Sequence, residues 1–408
     1  MSHGEIVTTG TSDRPVYLFC GNLIDGSGGP VLERALLTIK NGVITAVAEV
    51  HGIPPGADDL SECTIVPGLV DCHVHLFMSG TNDPSVREGQ LSYSFEEAGA
   101  IITRHLADQL RHGVVAVRDG GDYGSHTLRF KREVMPGTHS PLIMRCAGRA
   151  WHAAGRYGRL IGRPPSDHLT LAQSIAENNE NPDHIKIVNS GINSLTHFGH
   201  ETSPQFSLEE LTEAVREAEK LGLKTMVHAN SRLPVRIAAE AGCHSVEHGF
   251  FMGEDNLKFL ADRRIYWVPT VGTMKAYAEQ IEEGTRQADI ALRNLDHQLG
   301  QMRIARELGV PMAIGTDCGS LGVHHGAAFS EEMKLFIEAG YTLPEAVCYA
   351  TLNGAKLLGI DDEIGRLQVG KPATLIVVKS SLPTLIEALK RPERVYYRGL
   401  IVEQNNSD

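Results

Sequence analysis

Two histidines stand two residues apart in the run TIVPGLVDCHVHL (64–76), at His73 and His75. In an extended chain, alternate side chains project to one face, so both imidazoles reach the same space. A neutral imidazole nitrogen is a ligand for zinc and other divalent ions. Four more groups suited to such a site fall in or at the ends of apolar runs: Lys186 in HIKIVNSG, His228 in KTMVHAN, His248 in HSVEHG and Asp317 in PMAIGTD. Each alone has an ordinary explanation, as a satisfied buried histidine, an aspartate capping a turn or a lysine reaching solvent. Six groups in phase on five strands point instead to one shared cavity, where metal-assisted chemistry is what they have in common.

The elements that must position them alternate. Strand-like runs at 64–76, 114–119, 141–148, 184–191, 224–230, 244–249, 265–270 and 311–317 are separated by amphipathic helical stretches. Ser94 with Glu97, and Ser207 with Glu210, read as capping boxes. Thr342 with Glu345 adds Pro344 inside a first helical turn, and Gly359 marks a stop. Eight β/α units in one run predict a (β/α)8 barrel of the TIM type, whose catalytic groups lie at the carboxyl ends of its strands. No Gly-x-Gly-x-x-Gly turn or P-loop follows any strand, so a dinucleotide or nucleotide fold has no support. The two ends of the chain differ from the middle. Residues 16–25 and 35–50 are β-rich, with Asn41 and Gly42 as a hairpin turn, and 365–380 and 394–404 have the same character. They predict a small β-sandwich-like domain built from 14–66 and 365–403, with the barrel at 67–364 inserted between.

Composition narrows the partners. A net charge of −12 disfavours a phosphate backbone, so no nucleic acid is expected. The seven cysteines are scattered without a C-x-x-C pair, so they predict reduced thiols and a cytoplasmic setting. The opening MSHGEIVTTGTSDRP has no apolar signal region, and no stretch approaches about eighteen apolar residues, so no membrane partner is expected. The partner is a small-molecule substrate. Residues 271–305 are long enough to cover the pocket or to build a homo-oligomer interface.

PGLVDCHVHL, Lys186 in HIKIVNSG, VHAN, VEHG and GTDCG together resemble the amidohydrolase superfamily over almost the whole chain, within it the imidazolonepropionase-related and prolidase-like dipeptidases. The resemblance implies two divalent metal ions. His73, His75 and Asp317 would bind the more buried ion and His228 with His248 the more exposed one. A carbamate on Lys186 would bridge them. It implies a bridging hydroxide as nucleophile, with Asp317 taking its proton and passing it to the leaving amine. Zinc suits nitrogen ligands mixed with carboxylate-like oxygens, and manganese, cobalt or iron fit the same set. His152 falls where related peptidases carry a histidine on the scissile carbonyl. Arg149, Arg156 and Tyr157 share its loop and are candidates for a substrate carboxylate, while His324 and His325 are candidate pocket residues after Asp317. Asn230 occupies the position of a tyrosine in many of those dipeptidases.

The expected activity is therefore hydrolysis of an amide bond in a dipeptide or N-acyl amino acid. The alternatives are a deaminase, or a hydrolase of a cyclic amide, urea or carbamate. A non-catalytic assembly protein would lack this ligand set.

Overall fold

The computed structural model describes residues 14–138 and 140–402. The first thirteen residues of the chain, and Glu403 and Gln404 at the end of the expected β-unit, lie outside the described residues.

Both chain ends join in one seven-stranded sheet. Its order is Leu400–Ile401, Arg394–Tyr397, Leu375–Lys379, Asp58–Pro67, Val16–Leu23, Leu32–Lys40 and Val43–Glu49. Only Val16–Leu23 and Asp58–Pro67 run parallel; the other neighbours are antiparallel. The turn at Asn41 and Gly42 takes φ of 52° and 76°, as a two-residue hairpin between paired Lys40 and Val43 requires. Where a sandwich of two layers was expected, there is one sheet that curls: Ile44 N donates to Lys371 O, Ile44 O accepts from Gly370 N, and Val43 bridges Pro372. Strand alternation divides its faces. Ile65, Leu375 and Val377 pack in the sheet's own core, whereas Val66, Ile376 and Val378 turn into the large core of the rest of the chain. Each such fully buried side chain contributes about 1.5–3 kcal/mol.

The middle of the chain is mixed α/β. A three-stranded parallel sheet takes Leu69–Val74, Val114–Asp119 and Ile143–Cys146. A six-stranded sheet takes Tyr266–Val268, Ser245–His248, Lys224–Ala229, His184–Val188, Ala150–Trp151 and Gly162–Arg163, also with parallel neighbours. The run at 64–76 is thus two strands, broken at Gly68, where a Cβ would lie 2.5 Å from the Val115 side chain. The run at 311–317 forms bridges rather than a ladder: Met312 pairs with Trp267 and Cys318 with Val74. It lies between the two sheets, since Ala313 N donates to Trp267 O and Cys72 N to Ile314 O.

The helix signals hold locally. Ser94/Glu97, Ser207/Glu210 and Thr342/Glu345 form reciprocal capping boxes, and Thr170 with Gln173 adds a fourth. Gly359 ends its helix at φ 69°. The 271–305 segment supplies the helix Gly272–Gln280 and most of Arg286–Leu308. No helix among the described residues is long and apolar enough to cross a membrane.

Candidate metal centre

The four histidine rings stand in a row. His75 and His73 have centroids 5.5 Å apart, His73 and His248 4.9 Å, and His248 and His228 4.6 Å. The Asp317 Oδ1 lies 3.6 Å from Nε2 of both His73 and His75, and these three donor atoms fall within 4.8 Å of one another. Lys186 Nζ is 3.2 Å from His73 Nε2. All six residues line one cavity of about 460 Å³. Strand ends aimed inward from both sheets bring them there.

One nitrogen of each ring is tied to the protein, which fixes the orientation of the other. His73 Nδ1 lies 2.8 Å from Glu247 Oε2, His75 Nδ1 3.0 Å from Gly121 O, and His248 Nδ1 2.7 Å from Thr270 Oγ1. His228 is reversed, with Nε2 3.1 Å from Gly191 O. Among the described residues, His75 Nε2, His248 Nε2 and His228 Nδ1 keep no hydrogen-bond partner. Burial pushes the pKa of His75 down to about 3 and of His228 to about 4, and holds His73 and His248 well below the ordinary range. The imidazoles are therefore neutral near pH 7 and offer lone pairs. Burial also brings Lys186 down to about 8, against the pull of Glu247 and Asp317, and pushes Asp317 up to about 7 despite Lys186. Neutral rings, a carboxylate and a lysine with a depressed pKa form a donor set that fits divalent ions.

Residues behind the donors hold them in place. Glu247 is fully buried and accepts from Arg118 Nη2 at 2.8 Å and from the Ser245 hydroxyl, besides His73. Arg118 in turn donates to Cys72 O at 2.7 Å. Asp71 accepts from His73 N, Thr316 N and the Thr316 hydroxyl, which ties the first strand to the last segment before Asp317. His248 and Asp317 sit at φ 67° and 57°, in a region that non-glycine residues enter at a cost of about 1–3 kcal/mol. The backbone is held there: Asp317 N donates to His73 O at 2.7 Å, and His248 O accepts from Trp267 Nε1 and Gln298 Nε2. Sequence reasoning missed Glu247, Arg118 and Gln298. For the first two a signal existed, because an acid and a base within runs that read as buried barrel strands must be paired.

The secondary candidates separate. Tyr157 lines the cavity, its ring 5.5 Å from His228. Asn230 lines it too, but its Oδ1 accepts from Phe250 N and its Nδ2 points to Gly191 O. His152 is buried one layer behind the lining residue Gly158, with Nε2 lacking a partner among the described residues. Arg149 turns away to Glu180, its Nε 2.5 Å from Oε1, and Arg156 reaches Ser203 O. His325 is buried between Cys318 Sγ and Met78 O, stacked 3.9 Å from His105, and His324 is exposed beside other surface hollows. Neither lines the cavity, although Ser320 earlier in the same loop does.

The chain is 25% identical over 425 residues to ochratoxinase of Aspergillus niger, covering 96% of this chain and 86% of that protein. It is 24% identical over 388 residues to imidazolonepropionase of Porphyromonas gingivalis (strain ATCC 33277), covering 85% and 83%. A crystal structure of a Xaa-Pro dipeptidase with bound methionine superposes with a TM-score of 0.82 at 26% identity, over 96% of this chain and all of the other. The model of the amidohydrolase family matches residues 64–402, and the chain belongs to that family.

Proposed function

We propose that this chain is a metal-dependent hydrolase cleaving an amide C–N bond of a small substrate, with two divalent ions, zinc first, held by His73, His75, Lys186, His228, His248 and Asp317. The observation that carries this reading is the convergence of those six donors on one cavity, each ring with one nitrogen left facing it. His73, His75 and Asp317 would hold one ion, and His228, through Nδ1, with His248 the other. Lys186 would lie between them as an N-carboxylate. Its neutral Nζ bonds to the carbon of carbon dioxide and releases one proton, and the burial that depresses its pKa raises the neutral share. When bound, the ions supply Lewis acidity toward the substrate carbonyl and lower the pKa of water.

The protein's own groups do the rest. The Asp317 carboxylate, steadied at Oδ2 by the Ser320 hydroxyl at 3.1 Å, accepts a proton from the attacking water and returns it to the leaving nitrogen. Glu247 keeps the proton of His73 on Nδ1. Buried Phe250 and Met274 shield the reacting groups from bulk water. The same reading places the site on a closed (β/α)8 barrel at 67–364, with 14–66 and 365–403 as a small β-unit. The parallel strand order, the bridges at Met312 and Cys318 and the shared terminal sheet support that division.

The test is amine release by the purified, metal-loaded protein. The panel contains dipeptides and N-acyl amino acids, the substrates the sequence favours, together with uncharged amides, ureas and carbamates. Release that disappears on chelation and returns with metal is expected. Fully metallated protein that cleaves nothing in the panel, or releases only ammonia from heterocycles, overturns the proposal.

A further inference from the structure

Hydrolysis of an amide passes through a tetrahedral carbon whose former carbonyl oxygen carries negative charge, so a donor aimed at that oxygen speeds the reaction. His152, whose place in the sequence pointed to this role, is covered: a Cβ on the lining residue Gly158 would lie 2.8 Å from the His152 Cβ. Asn230 lines the cavity but is engaged, with Oδ1 on Phe250 N and Nδ2 3.4 Å from Gly191 O. Among the described residues, the side-chain polar groups of Tyr157, Tyr277 and Asn193 line the cavity without a hydrogen-bond partner. Of these, Tyr157 packs against a metal donor, its ring centroid 5.5 Å from that of His228 and tilted by 45°.

The loop that carries Tyr157 is held from below and from the side. Gln205 ties it twice, accepting from Ala153 N at Oε1 and donating from Nε2 to Tyr157 O, both at 2.8 Å. Arg156 N closes a turn on Ala153 O, and its guanidinium reaches Ser203 O. Gly158 follows at φ 129°, a conformation that lets the chain turn back over His152. The backbone is thus fixed on both sides of the tyrosine, while its hydroxyl is left to the cavity. A phenol is protonated at pH 7. Enclosure in the cavity, then the Asp317 carboxylate and the Tyr277 phenol, push this one further up. It is a donor throughout the neutral range, near the carboxylate that takes the proton of the attacking water.

Resting on the hydrolytic reading above, we infer that Tyr157 is a catalytic residue whose hydroxyl donates a hydrogen bond to the scissile carbonyl oxygen and to the oxyanion formed from it. The water oxygen bonds to the carbonyl carbon, the π pair moves onto the carbonyl oxygen, and Asp317 takes the proton of the water. When the C=O bond re-forms, the C–N bond breaks and the nitrogen leaves with that proton. Tyr157 keeps its own proton throughout, so its contribution is a hydrogen bond that strengthens as charge develops on the oxygen.

The experiment uses the metal-loaded full chain with N-acetyl-L-phenylalanine as substrate. The mimic of the charged intermediate is N-(methylphosphonyl)-L-phenylalanine, in which a tetrahedral phosphorus replaces the carbonyl carbon. Wild type, Tyr157→Phe and Tyr277→Phe are compared by amine release, titration calorimetry and metal content. Tyr157→Phe should lower kcat about 10²–10³-fold, the cost of one lost oxyanion donor, with KM and bound metal little changed. Its affinity for the phosphonyl mimic should fall by at least about tenfold. Tyr157-dependent binding of the mimic by a wild type that cleaves neither this substrate nor the amide panel supports the inference and counts against the hydrolytic reading. Cleavage at the wild-type rate by Tyr157→Phe, with the mimic bound as tightly, overturns the inference and leaves that reading intact. The inference is equally overturned by a loss confined to Tyr277→Phe, by a rise in KM without a fall in kcat, or by loss of metal from Tyr157→Phe. A wild type that does not bind the mimic also overturns it.

Discussion

Replacing Glu247 by glutamine removes one charge and little volume from the wall behind the metal donors. The carboxylate has three donors to satisfy: His73 Nδ1 and Arg118 Nη2, both at 2.8 Å, and the Ser245 hydroxyl. Glutamine offers one oxygen, and its NH2 must face one of those donors. Arg118 has a side chain only 4% exposed, so it would keep a buried charge without its counter-ion. Breaking a buried pair in this way costs about 3–5 kcal/mol, a large part of the 5–15 kcal/mol that stabilises an ordinary domain. The second consequence is local. Without an acceptor, the proton of His73 is no longer fixed on Nδ1, and loss of such a supporting contact weakens metal binding about 10–100-fold. Urea unfolding of the chelator-treated variant measures the first effect, and metal titration at low denaturant the second. The double variant Arg118→Gln/Glu247→Gln should lose less than the sum of the two single variants, because neither partner is left charged alone. A Glu247→Gln protein with wild-type midpoint and wild-type metal affinity would refute the reasoning for this network.

Asp317→Asn should keep the far-ultraviolet circular dichroism of the wild type and lower kcat by about 10²–10⁴-fold, since the amide cannot accept a proton; near wild-type kcat with metal bound would remove Asp317 as the base. Lys186→Ala should bind one ion fewer and lose most activity, with partial recovery of both in a short carboxylic acid such as propionate; an unmodified amine in a protein retaining both ions would contradict the bridge. Glu331→Gln tests the surface cluster in which Lys334, Lys390 and Lys275, against a burial effect of opposite sign, hold Glu331 down to about 2. A folded-state pKa below the unfolded one adds stability that is present above about pH 4.5 and fades as pH falls toward 2. The variant should therefore be less stable by about 1 kcal/mol at pH 7 after solvent screening, and equal to the wild type near pH 2. A difference that grows in acid would reverse the sign and the explanation.

His73, His75, Lys186, His228, His248 and Asp317 could be picked out as candidate donors because their signal is local and periodic. His-x-His on a strand, and single residues at strand ends, need only the two-residue repeat to be placed, and the structure gathers all six on one cavity. The capping boxes were legible for the same reason. What the sequence did not disclose depends on contacts distant in the chain. Glu247 and His73 are 174 residues apart, and no periodicity links them. Arg149 looked available for substrate because Glu180, its partner, lies 31 residues on in an unremarkable polar stretch. The eighth run looked like a regular strand, but left-handed Asp317 and the bonds of Asp71 to Thr316 interrupt its ladder. His325 reads as a pocket residue by proximity to Asp317, whereas its ring is consumed by Cys318 and Met78.

The most direct test of the account is the metal content of the protein purified without added chelator and dialysed against metal-free buffer, measured by elemental mass spectrometry beside amide hydrolysis on the same sample. Two divalent ions per chain, with activity that falls with their removal and returns in proportion to their restoration, is the predicted result. Full amide hydrolysis by protein carrying less than about one-tenth of an ion per chain would contradict it.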